Sequence, residues 1–244
     1  MPRVLLQREG PIAWLRLNRP EAHNAFDSEM TAAMAGCVGE VAGDEEVQAA
    51  ILCGNGPSFS TGVDVKELSR GEVSAESFTA WHRMAGGLGA LEVPLIVALH
   101  GHCLGGGTML TLYADYRLAS ADLSIGLGAL RHGILPGSAP ELLPGIVGSA
   151  SARRLCLFGE YVNAEEALRI GLVDRVVPGE TLEQEARALA ERVCGFSQIA
   201  LRECKLLLRR ASTMDRDTYE TAYREAQQRC LEARTHLRQD RRPD

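Results

Sequence analysis

Apolar and polar positions along the chain change period repeatedly. Residues 4–7 and 12–17 are short β-rich runs parted by Arg8-Glu9-Gly10-Pro11, a turn signal, so the chain is predicted to open with a hairpin. A helix is predicted from Asp27-Ser28-Glu29, with Asp27 or Ser28 as cap and Met30, Met34, Cys37, Val38 and Val41 as its apolar stripe. Residues 47–53 then read as a buried strand, and 74–91 as a longer helix. From Val93 an apolar, β-branched run reads as a central strand leading into Gly105-Gly106-Gly107, with helical spacing beginning at Thr108.

Residues 116–119 and 123–125 are short strand candidates, and 127–137 hold too much glycine and proline for a regular element. Ser138-Ala139-Pro140-Glu141 fits a helix start with Ser138 as cap and Glu141 in the reciprocal capping place. Further helices are expected over 149–158, 164–170 and 181–193, with a strand over 172–177. From 198 to 237 the composition is helical and highly charged, with Leu201, Cys204, Leu207 and Leu208 on one face. The picture is an α/β core of repeated strand-strand-helix units, with no internal sequence repeat.

Composition narrows the function classes. A chain of 244 residues, 45% hydrophobic, can bury a substantial core. A net charge of −6 and a pI near 5.6 argue against a dedicated nucleic-acid binder, whose affinity rests on neutralising phosphates. The seven cysteines are scattered without a C-x-x-C pair, which points to neither a disulfide framework nor a metal site. Residues 1–9 carry no apolar signal core and no run reaches the length of a membrane span, so a reduced, cytoplasmic setting without membrane contact is the expectation.

The chain has no G-x-x-x-x-G-K-[ST], H-E-x-x-H or G-x-S-x-G motif. What remains are two glycine loops that each run into a helix start, at Gly62-Val63 and at Gly105-Gly106-Gly107. The first turn of a helix has unpaired amide donors and a positive dipole end, and glycine lets a ligand approach that backbone. Two such turns converging would make an oxyanion hole. Taken singly, each run is better read as tight helix-to-sheet packing, and the two together shift the balance to the hole.

The residues that carry a family resemblance are Asn18-Arg19-Pro20-Glu21 with Asn24-Ala25-Phe26, the stretch from Phe59 through Gly62-Val63-Asp64 to Leu68, and Gly101 to Gly107 with Ala114-Asp115. Gly133-Ile134-Leu135-Pro136-Gly137 and Ala164-Glu165-Glu166-Ala167 with Gly171-Leu172-Val173 follow in the same order. On these the chain resembles the crotonase, or enoyl-CoA hydratase/isomerase, superfamily. The resemblance implies a spiral of ββα units over residues 1–195 and a C-terminal helical region, 196–244, used in assembly of a homotrimer or a dimer of trimers. It implies an acyl-CoA or acyl-carrier thioester as substrate and no cofactor beyond the coenzyme A that the substrate carries. The amides of Val63 and Gly106 fall where the two oxyanion donors belong, with Gly62 and Gly105 beside them. Ala22, Thr61, Asp64 and Val65 fall where relatives contact the coenzyme, although Asp64 equally fits a helix N-terminal charge.

The departures from the pattern bear on the reaction. By resemblance, hydratases carry glutamates at the positions of Met109 and Ala129, and neither of these side chains can transfer a proton. Three alternatives stay open. One is decarboxylation of a β-carboxy acyl thioester, which yields the enolate without a base. The second is isomerisation, hydrolysis or hydration with a relocated acid or base, for which His132 is the first choice and His82, His102 and Glu141 are weaker ones. The third is a catalytically silent acyl-CoA-binding protein, its pocket lined by Met109 and Ala129.

Overall fold

A computed structural model describes residues 1–239. Strands β1 (Val4–Glu9) and β2 (Ile12–Leu17) form the antiparallel hairpin. Helix α1 (Ser28–Gly43) starts at Asp27, whose carboxylate accepts from the Met30 N–H at 2.7 Å. Met30, Met34, Val38 and Val41 of the expected stripe are buried, and Cys37 is half-buried. Strand β3 (Ala49–Gly54) lies parallel to β2 with every residue buried, as a strand covered on both faces must be. Helices α2 (Val65–Ser69) and α3 (Ala75–Ala90) follow, α3 opening with a reciprocal Ser74–Ser77 capping box and packing along α1.

The central run divides in two. Gly101, at φ +54°, turns the chain between β4 (Leu95–Leu99) and β5 (His102–Leu104), which join different sheets. Helix α4 (Gly106–Thr111) begins two residues before Thr108, because Gly105 takes the N-cap place and its carbonyl already accepts from the Met109 N–H. After β6 (Tyr116–Ser120) and β7 (Ser124–Gly126), residues 129–132 form a 3₁₀ turn inside the segment expected to be irregular.

Helix α5 (Ala139–Phe158) carries a break at Gly148, φ +75°, where sequence spacing separates two helices. Ser138 does not cap it. The chain is already helical at Ser138, φ −76° and ψ −4°, and its carbonyl receives the Glu141 N–H, leaving the buried hydroxyl without a partner. Strand β8 (Tyr161–Asn163) has no sequence counterpart among the expected elements, being three residues long. Helix α6 (Ala164–Arg169) leads to β9 (Arg175–Val177), shorter than expected because the Leu172 and Val173 amides bond back to the Ala167 carbonyl. Helices α7 (Leu182–Cys194), α8 (Gln198–Ala211) and α9 (Arg216–Gln239) complete the described chain; the predicted run over 198–237 is thus two helices.

The large sheet has the order β1-β2-β3-β4-β6-β9 and the small one β5-β7-β8. In the pairs β4/β5 and β6/β7 the first strand enters the large sheet, the second enters the small sheet and a helix follows, which is the expected ββα repetition. The chain divides into two compact units, Met1–Glu191 with both sheets, and a second that begins at Arg192. In the second, α8 packs on α9 and Arg229 forks onto the Glu203 carboxylate at 2.5 and 2.9 Å. Among the described residues no helix is long and apolar enough to cross a membrane.

Candidate active site

The first glycine loop is held by a buried polar lattice. Asn24 is fully buried in a left-handed conformation, φ +53°. Its Nδ2 donates to the Asn55 and Ser58 carbonyls at 2.9 and 2.8 Å, and its Oδ1 accepts from the Arg19 N–H. The Ser60 hydroxyl donates to the Asn24 carbonyl at 2.8 Å and accepts from the Gly62 N–H at 3.1 Å. Phe26 donates to the Gly62 carbonyl and accepts from the Asp64 N–H, so it grips the residues on either side of Val63. Backbone groups alternate in direction along an extended segment, so the Val63 N–H faces away from Phe26.

The second loop meets the first at Gly62. There φ is +86°, and a Cβ would stand 2.5 Å from the Gly106 nitrogen and 2.7 Å from the Leu104 carbonyl oxygen. Only glycine permits both the conformation and the approach. On the far side, the Gly105 N–H donates to the Gly126 carbonyl at 2.9 Å, and the buried Thr108 hydroxyl shares its proton between the Cys103 and Gly126 carbonyls at 2.6 and 2.8 Å. The start of α4 is thereby fastened to β5 and β7.

Neither the Val63 N–H nor the Gly106 N–H has an acceptor among the described residues. Gly106 is buried and Val63 half-buried, and amides withdrawn from bulk water are nearly always paired, so the two neighbouring open donors can together receive an oxygen from outside the chain. Both residues line a cavity of about 890 Å³. Such a pair stabilises an oxygen that gains negative charge during reaction better than it stabilises a neutral carbonyl.

Thr61, Val63, Val65, Gly105, Gly106, Met109, Ala129 and His132 all line this cavity, whereas Ala22, Gly62 and Asp64 do not. Ala22 ends the 3₁₀ turn Pro20–Ala22, and Gly62 forms the seam between the loops. Asp64 is buried and caps α2, accepting from the Lys66 and Glu67 amides and pairing with Arg19 at 2.6 Å. Burial pushes its carboxyl upward, but the Arg19 hydrogen bond, the Lys66 amide and the Arg19 charge together hold it below the ordinary 3.8. The helix-charge alternative therefore describes what Asp64 does in the fold. His132 is exposed at the end of its turn, and its ring makes no hydrogen bond among the described residues. Glu141 and His102 lie outside the lining.

His82 on α3, a weaker acid or base candidate in the sequence, also lines the cavity, whereas Phe78 and Trp81 of α3 and Glu67 of α2 emerge as lining residues only from the fold. Burial, with Asp27 and Asp64 nearby, raises the Glu67 carboxyl above its ordinary value, while the Ser28 amide pulls it back. Helical spacing at 78, 81 and 82 marks one face of α3, but nothing in a sequence says that this face borders a cavity. No group of three metal-ligating side chains occurs among the described residues.

Two crossed-over sheets linked by ββα units, with paired glycine loops above one cavity, define the crotonase fold. A family model described as enoyl-CoA hydratase/isomerase matches residues 7–241, and the chain belongs to that family. It is 34% identical over 219 residues to the short-chain-enoyl-CoA hydratase of Clostridium acetobutylicum, covering 88% of this chain and 84% of the relative. It is 34% identical to the carnitinyl-CoA dehydratase of Salmonella typhi over 86% of this chain and 81% of that one. The solved enoyl-CoA hydratase of Mycobacterium smegmatis superposes with a TM-score of 0.89 at 28% identity, covering all of this chain and 99% of the other.

Proposed function

We propose that this family member binds an acyl thioester of coenzyme A and stabilises its enolate between the N–H groups of Val63 and Gly106, in a reaction other than two-carboxylate hydration. The observation that carries the proposal is the pair of open amides at the Gly62 seam, facing a cavity of about 890 Å³. Relatives are named hydratases and dehydratases of CoA esters, which supports the substrate class. Met109 and Ala129 line the cavity where the resemblance places two glutamates, which supports a different proton economy. The apolar lining at both places also favours decarboxylation of a β-carboxy acyl-CoA as a specific form of the reaction, since no carboxylate there would repel the substrate's own.

Thermal unfolding with and without acyl-CoA tests the binding: a rise in midpoint that grows with ligand concentration is expected, and no rise with any acyl-CoA overturns the proposal. Carbon dioxide release from malonyl-, methylmalonyl- and glutaconyl-CoA tests the decarboxylase form, which fails if all three are inert. Rapid hydration of crotonyl-CoA would overturn the exclusion of hydratase chemistry. The proposal extends to assembly: Leu208 on α8, Tyr223 on α9 and Phe196 in the turn before α8 are exposed, which supports self-association. Light scattering is expected to give the mass of three or six chains, and a monomer would count against it.

A further inference from the structure

We infer that His82 is the proton-transferring residue of this site, in place of the missing carboxylates and of His132. The inference rests on the thioester reading above. His82 lies in the middle of α3, half-buried, in the lining of the same cavity as Val63, Gly106 and Met109. Its Nδ1 stands 2.8 Å from the Phe78 carbonyl oxygen one turn earlier. A carbonyl can only accept, so Nδ1 carries the proton and Nε2 of the neutral ring holds a free lone pair.

Three observations place that lone pair. At Gly137, a Cβ would stand 2.7 Å from His82 Nε2 and 2.8 Å from Met109 Sδ, so Nε2 and the Met109 side chain border one point at the cavity wall. Met109 is one helical turn beyond Gly106, the residue that supplies an open amide. The Trp81 ring meets the imidazole edge-on at a centroid distance of 5.5 Å and, with the Phe78 hydrogen bond, fixes its orientation. Nε2 itself has no hydrogen-bond partner among the described residues. An oriented base with a free lone pair, next to the side chain that replaced an acidic one, is the arrangement that general catalysis requires.

His132 has none of this support. It is exposed and without a partner to fix its ring. Of the two carboxylates in the lining, Glu67 is engaged by the Ser28 amide, and Asp27 caps α1 through the Met30 N–H and pairs with Arg3 and Arg19. The step assigned to His82 balances as follows. The Nε2 lone pair takes a hydrogen from the carbon next to the thioester carbonyl as a proton. The C–H electron pair becomes the enolate double bond, and the carbonyl oxygen carries the negative charge between the two amides. The imidazolium, its Nδ1–H still on Phe78, returns a proton to carbon; after a decarboxylation only this second half is needed, with Nε2 first taking its proton from water.

The test is exchange of the α-hydrogens of straight-chain acyl-CoAs of two to ten carbons in heavy water, read by mass spectrometry, with thermal shift by the same ligands measured in parallel. The native protein is expected to exchange deuterium into at least one acyl-CoA that it binds. His82→Gln is expected to retain the thermal shift and lose exchange by about 100-fold or more. In His82→Ala, added imidazole is expected to restore part of the exchange, which a merely structural ring would not allow. Absence of binding by the native protein sinks the thioester reading itself. Binding without exchange, undiminished exchange in His82→Gln, or loss confined to His132→Ala overturns the assignment to His82. Loss of both exchange and thermal shift in both His82 variants overturns it too, since the ring would then serve structure.

Discussion

At the scale of single residues, the site depends on positions where a side chain is forbidden or a charge must be answered. Gly62→Ala would place a methyl group against the Gly106 nitrogen in a backbone region that alanine resists. The substitution is expected to cost about 1–3 kcal/mol in urea unfolding and to abolish the acyl-CoA thermal shift. Asp64 gives a pH signature. Its folded value lies below that of the unfolded chain, so the stabilisation is complete above about pH 4 and is lost as pH falls through the folded value. Native protein should therefore exceed Asp64→Asn in stability at pH 7, and the difference should shrink progressively as pH falls below about 4 in the same unfolding assay. A difference that stays constant would show that Arg19 gains nothing from the charge.

At the scale of elements, α4 is a short helix whose place is set from outside. Six residues make too few internal bonds to hold a helix, and the Thr108 hydroxyl supplies a link to β5 and β7. Thr108→Val keeps the shape and leaves the buried carbonyls of Cys103 and Gly126 with one donor fewer. A loss of about 1–3 kcal/mol is expected in denaturant unfolding, and a change below a few tenths would deny the link. Here the sequence speaks only in part. The glycine triplet marks a loop-to-helix turn, but Thr108 in isolation looks like an ordinary residue of weak helix preference. Its role needs β7 alongside, which only the fold brings there.

At the scale of the whole molecule, the cysteines report on the core. Cys53 and Cys103 are buried, and burial pushes the Cys53 thiol up to about 12 and the Cys103 thiol upward as well. Cys204 is exposed. Reaction with a chromogenic disulfide at pH 8 is expected to be fast at Cys204 and silent at Cys53 and Cys103, with all seven thiols reacting once the chain is unfolded. Prompt native reaction at Cys103 would mean that the sheet carrying the site opens readily. The seven thiols show no shared spacing in sequence, and their very different environments come from which strand or helix buries them.

The sequence by itself determined the local order: the hairpin, the capped start of α1 at Asp27 or Ser28, the separate helix starts before and after Gly148 and the two glycine loops, because these follow from periodicity and from residues with special backbone freedom. It also carried the family, through motifs spread in order along the chain, and it has Met109 and Ala129 where the resemblance implies glutamates. The tertiary structure decided what lies next to what. It divided one apolar run into β4 and β5 of different sheets, set Gly62 against Gly106, and brought His82 Nε2 and the Met109 side chain to the same point beside Gly137 while leaving His132 exposed. Those outcomes depend on contacts between segments far apart in the chain, and the energies that fix them have no image in local pattern. The physical reason is simple: propensity acts within a few residues, whereas a catalytic cavity is closed by packing across the whole fold.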